Sequence, residues 1–85
     1  MKTWQVYLLK CADLSLYCGI TNNLAARIHT HNAGKGAKYT KGRLPVTLVA
    51  NSQAMTKSQA LRCERYIKKL HAQKKISTLI TQNLF

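Results

Sequence analysis

Acidic residues are almost missing from this chain. Its 85 residues include two, Asp13 and Glu64, against 14 lysines and arginines, so the formal net charge is +12. A chain with this imbalance repels itself and seeks polyanions, which argues against an acidic surface and against any site built from many carboxylates. Paired cysteines are missing too. Cys11, Cys18 and Cys63 are odd in number and far apart, and no Cys-x-x-Cys occurs. That argues against a disulfide framework and fits small core residues of a reducing cytosol. No apolar run approaches the roughly 20 residues that cross a bilayer. Met1-Lys2 leads at once into a strand-like run, with no leader pattern before it, so the expected location is cytoplasmic. Repeats, low-complexity tracts and linkers are also lacking, and one domain over residues 1–85 is expected.

What is present in abundance is positive charge, and it runs from Lys2 to Lys75. Such a distribution belongs to a folded surface rather than to a basic tail. DNA, RNA and anionic membrane are the partners to weigh. The charge pattern favours nucleic acid, with DNA first. A membrane-surface role is weaker, because the last basic helix has a short apolar face that a small domain needs for its core. No small-molecule cofactor is indicated, and a monomer is expected. A merely basic protein, such as a ribosome-associated one, is the plainer reading.

Trp4 to Cys11 is rich in β-formers and reads as a strand. Ala12 to Ser15 suits a turn around Asp13, and Leu16 to Ile20 reads as the partner strand. Thr21-Asn22-Asn23 is good N-cap chemistry. Leu24 and Ile28 follow at helical spacing, His31 falls three residues further on, and Asn32 and Gly34 supply a stop. Gly34 to Arg43 reads as a basic loop, and Pro45 to Ala50 as a third strand. Thr56-Lys57-Ser58-Gln59 is a capping box. It predicts a helix running to about Lys74, with Ala60, Leu61, Ile67 and Leu70 on its buried face. Ile76 to Phe85 is open between a short helix and a loose end. The order strand, strand, helix, strand, helix suggests an α+β layer around a small antiparallel or mixed sheet.

Glu64 lies four residues after Ala60 and three before Ile67, on or beside the apolar stripe. A carboxylate there is costly to desolvate without a partner. One reading is a salt bridge to Arg62, Arg65 or Lys68. The other is a ligand for a hard divalent cation, since Mg²⁺ often takes one or two carboxylates and fills its other positions with water and phosphate. Arg27 sits beside Ile28 at the buried edge of the first helix. It is either a snorkelling surface residue or a phosphate clamp. Tyr7 and Tyr17 are ordinary strand residues by position, yet a phenol can orient a water or accept its proton. His29, His31 and His71 lack companions at metal spacing; His31 is a candidate proton carrier. The segment with Gly34, Lys35, Gly36, Lys38, Lys41 and Arg43 does not match the P-loop pattern. A flexible basic loop gripping a nucleic-acid backbone through Lys35, Lys38, Lys41 and Arg43 is simpler.

With these residues marked, the sequence resembles the GIY-YIG nuclease superfamily, and most closely its small stand-alone bacterial UPF0213 (YhbQ-like) group. The first motif aligns with Gln5-Val6-Tyr7 and the second with Tyr17-Cys18-Gly19. Arg27 follows ten residues after Tyr17, and Glu64 falls where the family carries its metal-binding glutamate. His31 and Gly34-Lys35-Gly36-Ala37 look like the small-protein group. The likeness covers about residues 4 to 75. It implies a three-stranded antiparallel sheet flanked by helices, in the order β-β-α-β-α with a short C-terminal helix. It also implies a Mg²⁺- or Mn²⁺-dependent endonuclease of low sequence specificity. In that scheme Glu64 holds the metal, Arg27 stabilises the phosphate, and Tyr7 or Tyr17 positions or activates the water. Three departures stand out. The first motif lacks its glycine, Ile20 stands where repair nucleases of the family place a lysine, and their later asparagine has no counterpart. A non-catalytic DNA- or RNA-binding protein of the same fold is therefore the rival reading. A part of a larger assembly, docking an acidic protein, is the third.

Overall fold

The computed structural model describes residues 2–81. The chain forms β1 (Gln5–Lys10), β2 (Leu16–Thr21), α1 (Leu24–Asn32), α2 (Lys38–Lys41), β3 (Thr47–Asn51), α3 (Lys57–Lys68) and α4 (Ala72–Thr81). The three strands make one antiparallel sheet in the order β2-β1-β3. This is the expected α+β sheet with flanking helices.

β1 is the central strand, and Val6, Tyr7, Leu8 and Leu9 are all buried. Side chains alternate along a strand, so a run of four apolar residues feeds both faces of the sheet. Val6 and Leu8 join Cys18, Ala50, Met55, Ala60, Cys63, Ile67 and Leu79 in the core beneath α3 and α4. Tyr7 and Leu9 join Cys11 and Val46 on the other face, where Leu24 and Ile28 of α1 pack. The β1–β2 register sets Tyr7 opposite Gly19 and Leu9 opposite Tyr17. The connecting turn is held by Asp13, which accepts hydrogen bonds from the Ser15 amide (3.1 Å) and hydroxyl (2.6 Å). Leu14 takes the positive φ (71°) in that turn.

The helix starts follow their caps. Asn23 accepts from the Ala26 amide at 3.2 Å. At α3 both halves of the capping box form: Thr56 Oγ1 accepts from the Gln59 amide (3.1 Å), and Gln59 Oε1 accepts from the Thr56 amide (3.0 Å). Asn32 does more than end α1. Its side chain accepts from the Val46 amide (2.8 Å) and donates to the Val46 carbonyl (3.1 Å), pinning the helix to the approach of β3.

Three expectations need correction. The predicted helix to Lys74 ends at Lys68, and a separate α4 follows. The break lets Ile76 and Leu79 turn back onto the core that Ile67 already occupies. Leu61 is 43% exposed rather than buried. The stripe runs Ala60, Cys63, Ile67, and at about 100° per residue Leu61 projects from the far side of α3 from Cys63. The basic segment after α1 is not loop throughout, since Lys38–Lys41 form the short α2. The ambiguous tail is helical to Thr81; its last four positions lie outside the described residues.

Candidate active site

Tyr7 projects from the central strand toward α1, and its ring lies over Gly19 of the neighbouring strand. A Cβ at Gly19 would stand 2.6 Å from the Tyr7 hydroxyl oxygen. The glycine of the second motif is thus a space requirement set by the tyrosine of the first. The Tyr7 oxygen lies 2.9 Å from Nε2 of His31, which α1 carries inward to complete burial. On the other side of the ring, Nδ1 lies 2.9 Å from Thr40 Oγ1 of α2.

The direction of these hydrogen bonds follows from Thr40. Its hydroxyl donates to the Ala37 carbonyl at 2.9 Å. Its oxygen must then accept from His31, which places the ring proton on Nδ1. Nε2 keeps its lone pair and accepts the Tyr7 O–H. Burial, helped by the charge of Arg27, holds the His31 pKa below its ordinary value, so the ring is neutral. Burial pushes the Tyr7 phenol up to about 12, although the Arg27 guanidinium hydrogen-bonded to it works the other way. Tyr7 is therefore a protonated phenol at neutral pH.

Tyr17 completes the cluster. Its ring centroid is 6.2 Å from that of Tyr7 and 5.3 Å from that of His31. Unlike Tyr7 it is only half-buried, and it lines an open cleft with Leu16, Cys18, Tyr39, Lys68 and Lys75. Tyr7, Tyr17, Arg27 and His31, spread over 25 positions of sequence, thus meet on the α1 face of the sheet.

Glu64 approaches from the other face. It is on α3, one residue past Cys63, and its carboxylate raises the pKa of the Cys18 thiol after the larger effect of burial. Its side chain is 19% exposed and meets the Lys68 ammonium at 3.4 Å. Glu64 is near enough to Cys18 of the edge strand β2 to act on its thiol, and the partner of Glu64, Lys68, lines the cleft that Tyr17 opens onto. Of the two sequence readings of Glu64, the salt bridge is the one present, made with Lys68. Among the described residues no three His, Cys, Asp or Glu side chains converge as a metal cage. A lone carboxylate fits a hard ion that keeps most of its waters, such as Mg²⁺ or Mn²⁺, and not a stripped zinc site.

Lys35, Lys38 and Lys41 are exposed around α2. Arg43 is not free in the same way. Its Nε donates to Asp13 Oδ2 (3.0 Å), a second guanidinium N–H donates to the Tyr39 carbonyl (2.7 Å), and its plane sits 4.1 Å from the Tyr39 ring centroid. It fastens the α2 segment to the β1–β2 turn. Thr40 and Tyr39 were invisible as site residues in the sequence, where Gly36 was marked only as part of the basic segment that resembles the small-protein group. Gly36 lies so close to His31 that a Cβ there would overlap the imidazole. The short motifs of the two strands, by contrast, announced Tyr7, Tyr17 and Gly19.

The geometry agrees with a family match over residues 3–77, to the GIY-YIG catalytic domain. The chain belongs to the GIY-YIG family. Within it the relatives are UPF0213 proteins. The one from Lactococcus lactis subsp. cremoris (strain SK11) is 52% identical over 85 aligned residues, spanning 99% of this chain and 86% of that protein. The solution NMR structure of the UPF0213 protein BH0048 from Bacillus halodurans is 45% identical and covers 87% of this chain and 79% of its own, with a TM-score of 0.52. That of the protein EF2693 from E. faecalis is 34% identical and covers 93% and 88%, with a TM-score of 0.61. No helix among the described residues is long and apolar enough to cross a membrane.

Proposed function

We propose that this GIY-YIG protein is a metal-dependent DNA endonuclease of low sequence specificity. The observation that carries the reading is the chain Tyr7–His31–Thr40, with Tyr17 and Arg27 against it, on a molecule of net charge +12. A hydrogen-bonded phenol and a neutral imidazole of fixed tautomer form an acid–base pair, and packing alone requires neither.

Water attacks phosphorus at the cleft, the bond from phosphorus to the departing strand's oxygen breaks, and that oxygen leaves with a proton in exchange for the one the water gives up. Tyr17 is the phenol that opens onto it and positions that water. The pair behind it, Tyr7 and His31, holds or passes a proton, with Nε2 as the acceptor of the Tyr7 O–H. Arg27 neutralises charge developing on the phosphoryl oxygens. Glu64 holds the divalent cation, Mg²⁺ or Mn²⁺, which when bound supplies positive charge beside the phosphate and a more acidic water. Lys35, Lys38 and Lys41 grip the backbone, while Arg43 orders the segment that carries them.

The test compares cleavage of plasmid and branched DNA by wild type and by Glu64→Gln, with Mg²⁺ or Mn²⁺. Cutting by wild type alone supports the reading; equal cutting by both, or by neither, overturns it. A binding-only role is the second reading, and the Lys68 ammonium on the Glu64 carboxylate favours it. Affinity that falls steeply with salt, with substrate left intact in Mg²⁺, selects that alternative.

A further inference from the structure

The outer face of α3 is a row of cations. Ala60, Cys63 and Ile67 of this helix point into the core. At about 100° per residue, the face turned away from them carries Ser58, Arg62, Arg65 and Lys69, each three or four positions from the next. All four are exposed. Arg62 donates to the Ser58 hydroxyl at 3.5 Å. Among the described residues no carboxylate meets Arg62, Arg65 or Lys69. The two acids of the chain are engaged elsewhere, Asp13 with Arg43 and Glu64 with Lys68.

This row weakens the helix that carries it. Like charges three and four residues apart on a helix repel. The helix dipole welcomes cations near the C-terminal end, which accounts for Arg65 and Lys69. It does not account for Arg62 in the middle, nor for Lys57 in a first turn that has no acid. The fitting complement is an external anion, and it is a polymer. Arg62 to Lys69 spans about 10 Å of helix axis, and an equal length of duplex carries roughly six phosphate charges. A single phosphate reaches one or two of the three cations, whereas a backbone meets them all, and a guanidinium fork matches phosphate oxygens. Leu61 and Tyr66, 43% and 46% exposed, stand on either side of the row. The cations split them, so α3 lacks the continuous apolar stripe with which a helix enters a lipid surface.

Position in the fold sets the consequence. α3 packs on one face of the sheet and α1 on the other. Tyr7, His31 and the α2 segment belong to the α1 side, so the row points away from the candidate active site. We propose that the outer face of α3 is a second nucleic-acid-binding surface. Arg62, Arg65 and Lys69 grip the phosphates of a duplex segment other than the one at the Tyr7–Tyr17 site, so that one molecule bridges two segments. The proposal rests on the nucleic-acid reading above and not on cleavage.

The experiment runs in EDTA and reads bridging. A biotinylated duplex on beads is loaded with protein and offered a second, fluorescent duplex. Wild type is expected to capture the second duplex. Arg62→Gln/Arg65→Gln should stay bound to the first through the other side of the sheet, yet capture about tenfold less of the second. Arg62→Lys/Arg65→Lys, which keeps the charge, should retain most of the capture. Lys2→Gln/Lys10→Gln removes equal charge from exposed positions elsewhere and should capture within about twofold of wild type. Glutamine suits a helix and ends the repulsion, so the arginine-to-glutamine variant should melt no lower than wild type. A clearly lower melting temperature would make the row structural and overturn the proposal. Equal loss in the two glutamine variants would reduce it to net charge, and no loss in either would place bridging elsewhere; both overturn it. A wild type that binds one duplex without capturing another overturns it too, and leaves the nucleic-acid reading standing. Pelleting with phosphatidylserine vesicles that only the arginine variants lose, without duplex capture, would assign the row to lipid instead. Capture in EDTA needs neither Glu64 nor any cutting, so the endonuclease reading can fail while bridging stands, and the reverse.

Discussion

The Tyr7 hydroxyl lies 2.9 Å from Nε2 of His31, and it is the donor in that bond. Thr40 decides this from nine residues further along, by occupying Nδ1 while spending its own proton on Ala37. Thr40→Val keeps the shape and removes the acceptor. The buried Nδ1–H is then unsatisfied, and a loss of about 1–3 kcal/mol in unfolding free energy is expected. Nitrogen-15 shifts of His31 should show the Nδ1–H tautomer in wild type and a mixed or reversed population in the variant. An unchanged tautomer would mean that Thr40 does not set it.

The same bond predicts an ultraviolet titration. Tyr7 should ionise near pH 12, because burial disfavours its phenolate. The difference between wild type and Tyr7→Phe at 295 nm isolates it. A Tyr7 that ionises near 10 would remove the burial argument. The sign for stability follows. The folded pKa is raised, so the contribution is complete below pH 10 and declines as pH rises from there through about 12.

His31 carries the opposite sign. Its folded pKa lies below the ordinary value of about 6.5, so the neutral form is what folding keeps. Its contribution to stability is complete above that pH and is lost as pH falls toward the folded pKa, where the unfolded chain gains a proton that the native site refuses. Urea melts at pH 7 and pH 5 should show a lower midpoint at pH 5. His31→Gln should reduce that difference, whatever its effect on the pH 7 midpoint. A pH dependence identical in the two proteins would assign it elsewhere.

Gly19→Ala should be severe and Gly42→Ala mild. The first puts a methyl group against the Tyr7 phenol and the Tyr17 ring, while a Cβ at Gly42 meets nothing within 4 Å. A cost of about 1–3 kcal/mol is expected at Gly19 and within about 0.5 kcal/mol at Gly42, read by denaturant midpoint. Near-equal costs would show that Tyr7 can move aside freely.

The thiols should be inert. Cys11, Cys18 and Cys63 are free and buried, and burial pushes Cys18 up to about 12 and Cys63 to about 11. Little thiolate exists at neutral pH. A disulfide reagent at pH 8 should react slowly with the native protein and with three thiols after denaturation. Rapid native labelling of Cys18 or Cys63 would contradict their burial.

Local patterns settled much of this molecule before any coordinate. The β-rich run at Trp4 to Cys11, the polar break at Asp13 and the capping box at Thr56 each specify an element from neighbouring residues. The hairpin placed Tyr7 and Tyr17 on paired strands, and the resemblance of the two strand motifs to the GIY-YIG pattern marked Tyr7, Tyr17 and Gly19. Charge was equally plain, since it needs no geometry. The end of α3 was harder. Nothing near Lys68 is a glycine or a proline, so the helix stops for a distant reason: Ile76 and Leu79 pack on the core that Ile67 fills.

Composition and spacing by themselves therefore determined a basic α+β domain with a phenol pair on its hairpin. Only the tertiary structure decided what those phenols touch. The Thr40 hydroxyl that orients His31, the Gly36 backbone that makes room for it, and the Tyr39 ring at the mouth of the cleft all come from a ten-residue basic stretch without periodicity. Hydrogen-bond direction depends on ångström-scale distances between residues far apart in sequence, and no one-dimensional pattern carries those distances.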